Sequence, residues 1–293
     1  MVRRALVFLA LCILSPAWAV TACPQHYAAG VPPVIVKPSL KPRTQALCFR
    51  AFAVTHSGLS RTPLWSAEHL LRANVLAAQE LIRTNSFHAE SRLPRQDRAE
   101  LSDYARSGFD RGHMSPNGDM PDRSAQAESF SLANMVPQVH ANNAGIWAGI
   151  ESAVRQLAIR EGDVYVVTGP AFIGDAIASL KGRVLIPTHL WKVVYSPRRQ
   201  QAGAYLVTND ETRTYSSLSV TDLEKMIGIA PLPGVPQRVR NTAMSLPVPS
   251  SDGTSAHAGK KRRRGGATPE NEEFSLSDFA RQTIESVLKK LMK

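Results

Sequence analysis

An α+β domain is the fold class that this sequence predicts. Short apolar runs of strand length recur through its second half, and helical spacing is set among them. With 43% apolar residues in 293, there is material for one substantial core. Residues 163–168, 183–186, 190–195 and 204–207 are the strands of that half, and Gly169-Pro170 ends the first of them. The run 145–160 carries Ile146, Ile150, Val154, Leu157 and Ala158 on one side, which is the spacing of a helix. Thr221 and Glu224 form a capping box for a further helix through Met226. Upstream, 46–54 reads as a first strand and 62–65 as a turn. Residues 67–78 read as a helix or a strand running into one, and 83–98 as a polar loop.

The two ends carry different signals. Arg3 and Arg4, the apolar run 6–14, Pro16 and the small residues around Trp18 follow the order of a secretory leader over 1–19, with cleavage as late as residue 22. A periplasmic or secreted location is expected. Lipid attachment at Cys23 is the minor alternative, because 20–23 passes for a lipobox. No later run reaches the ~18 to 20 apolar residues of a transmembrane segment. Cys12 leaves with the leader, and an oxidising compartment favours a Cys23–Cys48 disulfide closing a 26-residue loop. Residues 20–45, rich in proline, read as an extended arm, and the domain proper as 46–249. Beyond it, 250–273 is a flexible basic linker. Residues 274–293 form an amphipathic helix suited to packing on the body, a membrane surface or a partner.

The formal charge is +11, and loss of Arg3 and Arg4 leaves +9, of which the block 260–264 supplies five. The body is therefore only mildly basic, which suits attraction to a polyanion without tight holding. At 6% aromatic content there is little material for rows of base-stacking platforms.

Chemistry concentrates between Tyr104 and Glu151. In the run Phe109-Asp110-Arg111-Gly112-His113, a strand-like approach brings one His beside an Asp and an Arg, and a general base near neutral pH is what His does best. Asn134 is a polar residue in a semi-apolar run, suited equally to structural or catalytic hydrogen bonding. Asn143 and Glu151 stand eight apart, with Trp147 midway. On one continuous helix all three would share a face, offering an amide oxygen and a carboxylate to a hard cation. Taken singly, each residue also fits a structural role.

Together, the residues resemble the DNA/RNA non-specific endonucleases, over roughly 47–228. Asp-Arg-Gly-His is intact at 110–113, Asn-x-x-Pro-Gln at 134–138, and Asn143 and Glu151 follow at the family's spacing without a gap. The resemblance implies a central, mainly antiparallel sheet with flanking helices and a ββα-metal site. It implies His113 as general base, Asn143 as the one direct protein ligand of Mg²⁺ (Mn²⁺ substituting), and Glu151 reaching the ion through water. Asn134 and Asp110 would give supporting hydrogen bonds. Arg83, four residues before Phe87, is the candidate phosphate-contacting arginine, although His88-Ala89-Glu90 is less acidic than the family's pattern there. Arg111 is the other basic group near the site.

The expected reaction is hydrolysis of DNA, double- and single-stranded, and of RNA, without sequence preference, leaving 5′-phosphate and 3′-hydroxyl ends. A base of ordinary histidine pKa would make activity fall below about pH 6.5. A narrower phosphodiester substrate and a non-catalytic nucleic-acid-binding protein are the alternatives. Some members of the family form homodimers, and the sequence offers no defined dimer surface.

Overall fold

A computed structural model describes residues 22–250. The expected leader, the basic linker after Ser250 and the C-terminal helix lie outside the described residues. In chain order the strands are β1 (Val34–Ile35), β2 (Thr44–Cys48), β3 (Phe52–Ser57), β4 (Thr62–Leu71), β5 (Asp110–His113), β6 (Met135–Gln138), β7 (Asp163–Ala171), β8 (Ser179–Leu180), β9 (Val184–Leu185), β10 (His189–Ser196), β11 (Gln201–Thr208), β12 (Ser216–Leu218) and β13 (Ile229–Ala230). The helices are α1 (Arg72–Gln79), α2 (Leu101–Tyr104), α3 (Arg123–Ser129), α4 (His140–Asn142), α5 (Ala148–Glu161), α6 (Val220–Ile227) and α7 (Gln237–Arg240).

Seven strands form the central sheet in the order β12-β11-β10-β7-β4-β3-β2, and every neighbouring pair is antiparallel. Its middle strands are nearly continuous apolar runs because both faces are covered. Leu70, Val164, Val166, Leu190, Val194 and Val207 pack beneath Ile150, Val154 and Leu157 of α5. Trp65, Ala67, Val167, Trp191 and Val193 pack on the opposite face against Leu223 of α6 and the N-terminal residues Cys23 and Tyr27. The α+β class and antiparallel sheet are as the sequence predicts. Among the described residues no helix is long and apolar enough to cross a membrane.

Several local expectations are corrected. The single strand expected over 46–54 is a hairpin, β2 and β3, turning at residues 49–51. The turn expected at 62–65 opens the ten-residue β4, whose burial on both faces hides any alternating pattern. The helix at 220 is capped by Ser219, whose Oγ accepts from Asp222 N at 3.1 Å, and not by Thr221. The N-terminal segment is no free arm. Cys23, His26, Tyr27 and Ala28 are buried, and β1 pairs with β13. No Cys23–Cys48 disulfide bond is seen among the described residues; the two sulfurs and a ring nitrogen of His26 lie within 4.8 Å of one another.

Gly169 sits in β7 where the sheet is most crowded. A methyl group there would strike the Leu64 carbonyl oxygen and the six-membered ring of fully buried Trp191. Gly169→Ala is expected to lower stability by about 1–3 kcal/mol. A urea midpoint shifted down at unchanged m-value checks this. An unshifted midpoint would mean that Trp191 moves aside at no cost.

Candidate functional site

The site is a small ββα unit laid on the α5 side of the sheet. β5 and β6 pair with Asp110 opposite Gln138 and His113 opposite Met135, and the chain then enters α4 and α5. Gly112 is required at the crossing, because a Cβ there would collide with the buried side chain of Gln138. Two buried contacts dock the end of β5 on the sheet. Ser115 Oγ lies 2.7 Å from Ser66 Oγ of β4, and Lys192 Nζ of β10 donates to the Met114 carbonyl at 3.4 Å and to Thr168 Oγ1 at 2.7 Å.

Asn134 is consumed by the backbone. Its Oδ1 accepts from Ser115 N at 3.0 Å, and its Nδ2 donates to the carbonyls of Ser115 (2.8 Å) and Ser129 (3.0 Å). It fixes the strand end that carries His113, with no side-chain group left over for a substrate. Asn142, also fully buried, bonds Gln138 and the Thr208 carbonyl and anchors the helix start.

The continuous helix expected from Asn143 to Glu151 is interrupted. Residues Asn143–Trp147 form a π-helical turn, and Gly145 leaves helical geometry at φ −102°, ψ −112°. Such single turns concentrate at functional positions. Trp147 is fully buried, with Lys192 Nζ 5.3 Å from its ring centroid, so it is core rather than site. Asn143 Nδ2 donates to Asp110 Oδ2 at 2.9 Å, and His140 Nδ1 bonds the same oxygen at 2.9 Å. Asp110 thereby fixes which end of the Asn143 amide faces outward, leaving Oδ1 as the acceptor.

A cavity of about 400 Å³ is lined by Asn143 and Asp110, by the arginines Arg83, Arg106 and Arg111, and by Phe87. Arg83 lies over the Phe130 ring at 5.3 Å and Arg111 over Phe87 at 4.1 Å, so both guanidinium planes are braced on aromatics. Arg83 also donates to Asn85 Oδ1. The loop that carries it is held by buried Glu90, which accepts from Arg92 and Ser131. Arg106 lines the cavity with positive φ of 56°, a position that the motifs did not mark.

His113 is buried beside Phe87 and Phe130, at centroid distances of 6.0 and 5.2 Å, and its Nε2 has no hydrogen-bond partner. Burial, and then the charge of Arg83, lower its pKa to about 3, so the imidazole is neutral well below pH 6.5. The activity loss expected from an ordinary histidine is therefore displaced to lower pH. Glu151 keeps part of its residue surface exposed while its carboxyl is enclosed by protein. Burial raises its pKa to about 7 against the opposing charges of Lys192, Arg155 and Arg83. Beneath it Glu68 is buried with neither oxygen hydrogen-bonded, and burial and the charge of Asp119 push its pKa well up. Glu68, Asp119, Arg155 and Lys192 escaped the sequence reading, since each lies alone in its own stretch of chain.

An outward amide oxygen, an enclosed carboxyl that resists ionising alone, and an orphaned buried carboxyl behind it are oxygen donors in want of positive charge. They fit a hard divalent cation better than zinc. Arginines on the same cavity suit a phosphate.

Comparison with known proteins agrees. The family model described as DNA/RNA non-specific endonuclease matches residues 33–238. Nuclease C1 of Cunninghamella echinulata var. echinulata is 33% identical over 61% of this chain and 79% of its own length. The mitochondrial nuclease EXOG of Homo sapiens is 32% identical over 65% of this chain and 57% of its own, so the chain spans little more than half of that relative. A crystal structure of an EndoG/EndoGI complex shares the fold, with a TM-score of 0.55 and 24% identity over 63% of this chain and 84% of that one.

The raised pKa of Glu151 has a thermodynamic consequence. A cation favours the ionised carboxylate, so binding must expel its proton once the pH falls through about 7. Apparent affinity for Mg²⁺, measured by calorimetry, is expected to be about tenfold weaker at pH 6 than at pH 8. Glu151→Gln should flatten that dependence. A pH-independent affinity in the unaltered protein would remove Glu151 from the cation's surroundings.

Proposed function

The chain belongs to the DNA/RNA non-specific endonuclease family, and from that premise we propose that it is a Mg²⁺-dependent endonuclease that hydrolyses phosphodiester bonds in DNA and RNA, with His113 as general base. The observation that carries this reading is the neutral, unpartnered His113 Nε2 beside Arg83, whose charge acts on both His113 and Glu151.

The roles follow from the chemistry of a phosphodiester, an anion that water attacks slowly. The orphaned His113 Nε2 accepts the proton of the attacking water. Arg83 and Arg111, held over aromatic rings, stabilise charge that grows on the phosphoryl oxygens. Asn143 and Glu151 hold the cation, with Asp110 fixing the Asn143 amide. Bound there, the ion would supply Lewis-acid stabilisation to the negative charge that develops during cleavage. The P–O bond to water forms as the P–O3′ bond breaks, and the departing 3′ oxygen takes a proton from solvent, which leaves 5′-phosphate and 3′-hydroxyl ends.

Lack of sequence preference follows from the same cavity. Its polar groups are arginines, an amide and a carboxylate, which suit backbone phosphate and carry no code for base edges. Because water is the nucleophile, a 2′-hydroxyl is not needed, and both nucleic acids are substrates. Secretion or a periplasmic location, from the leader, belongs to the same proposal.

Plasmid cleavage at pH 8 tests it. With Mg²⁺ the mature protein should nick and then degrade the plasmid, and EDTA should stop it. His113→Ala should lower the rate by roughly 10²–10⁴-fold, and Arg83→Ala by about 10²–10³-fold. Full activity of His113→Ala would assign the base elsewhere. A folded, inactive unaltered protein would return the reading to a narrower substrate or to binding without cleavage.

A further inference from the structure

The N-terminal segment was expected to be tied to the domain through a disulfide, and the structure offers another tie. Cys23 precedes a short 3₁₀ turn, Pro24–His26, that ends on His26, and Cys48 ends β2. The two sulfurs and an imidazole nitrogen lie within 4.8 Å of one another, with Cys23 and His26 buried and Cys48 partly so. Cys23 belongs to the apolar cluster on the sheet face opposite α5, and this group shares no residue with the cavity of Arg83 and Asn143.

The histidine is set up as a ligand. His26 Nε2 lies 3.0 Å from the Phe49 carbonyl. A carbonyl can only accept, so this closer bond puts the ring proton on Nε2 and leaves Nδ1 its lone pair, with Gln25 Nε2 a longer contact of the same nitrogen at 3.3 Å. A ring nitrogen tied to a backbone carbonyl is how metal-binding histidines are oriented. A second cavity, of about 200 Å³ and bordered by Gln25, His26, Arg50 and His69, brings solvent to the imidazole.

We propose that Cys23, His26 and Cys48 bind a zinc ion that clasps the N-terminal segment to the β2–β3 hairpin. Two sulfurs and one imidazole are the donors a borderline-soft d¹⁰ ion prefers, and the fourth position falls to solvent from the cavity beside His26. The chemistry contrasts with that of the catalytic cavity, where the donors are oxygen. On binding, each thiol gives its proton to solvent, two protons per ion, with no change of oxidation state. The role is structural, since the site touches none of the residues assigned to hydrolysis.

The mature protein, purified without chelator, is expected to carry about one zinc per chain by elemental analysis. Replacement of zinc by cobalt should give the near-ultraviolet sulfur-to-cobalt band, which oxygen donors in the catalytic cavity do not produce. Cys48→Ser should lose the band and melt lower, while cleavage of nucleic acid in Mg²⁺ persists. An intact mass lighter by two hydrogens, with no thiol reactive after denaturation, would replace the proposal with the disulfide. Two reactive thiols with neither zinc nor a cobalt band would overturn it outright. Both readings come from the unaltered protein, so they stand even if Cys48→Ser fails to fold.

Discussion

Everything in the site hangs on an ammonium group buried at the junction of sheet and ββα unit. Lys192 is 1% exposed in the third strand from one edge of the sheet, where a charge would ordinarily be prohibitive. It is tolerated because it reaches the Met114 carbonyl and Thr168 Oγ1, lies over the Trp147 ring, and neighbours the carboxyls of Glu68 and Glu151, whose ionisation it favours against their burial. One group thus ties β10, β7, the end of β5 and the π turn to a single point. Arg155 plays the companion part from α5, pairing with Asp119 at 2.9 Å.

That arrangement explains why the chemistry needs so few residues at the surface. Three carboxyls and two cations share a dry space, and none can change its charge without the others responding. The sheet supplies rigid backbone and the buried charges lie beneath the residues that line the cavity, Arg83, Arg106, Arg111 and Asn143. His113 packs beside Phe87 and Phe130, the same two rings over which Arg111 and Arg83 lie. The two aromatics therefore link the surroundings of His113 to the positions of Arg83 and Arg111.

The site was legible in the sequence where it is local. Asp110 to His113, Asn134 to Gln138 and the interval from Asn143 to Glu151 are short, ordered blocks, and short blocks keep their spacing. The α+β class was legible too, from strand-length runs such as 190–195, and the antiparallel sheet came from the family resemblance. What escaped depends on contacts across the chain. Glu68 is an unremarkable acid until β4 is known to be buried on both faces, and Lys192 reads as an ordinary strand residue until Thr168 stands beside it. The N-terminal segment was misread for the same reason: its prolines signal extension, but burial of Tyr27 and Ala28 comes from partners on β4 and beyond residue 220. The π turn escaped because side-chain spacing over two turns barely distinguishes it from an α-helix.

The π turn has a consequence in the phase of the helix that contains it. An i→i+5 turn accommodates one residue more than the regular ladder, and each residue of an α-helix advances the azimuth by about 100°. Asn143 and Glu151 therefore do not share the azimuth that eight regular residues would give them. Excision of a single residue at 144 or 145 would let the ladder run straight, at little cost in helix stability. It would also swing the amide away from Asp110 by more than a quarter turn relative to the carboxylate. This one surplus residue sets the angular offset between the Asn143 amide and the Glu151 carboxylate.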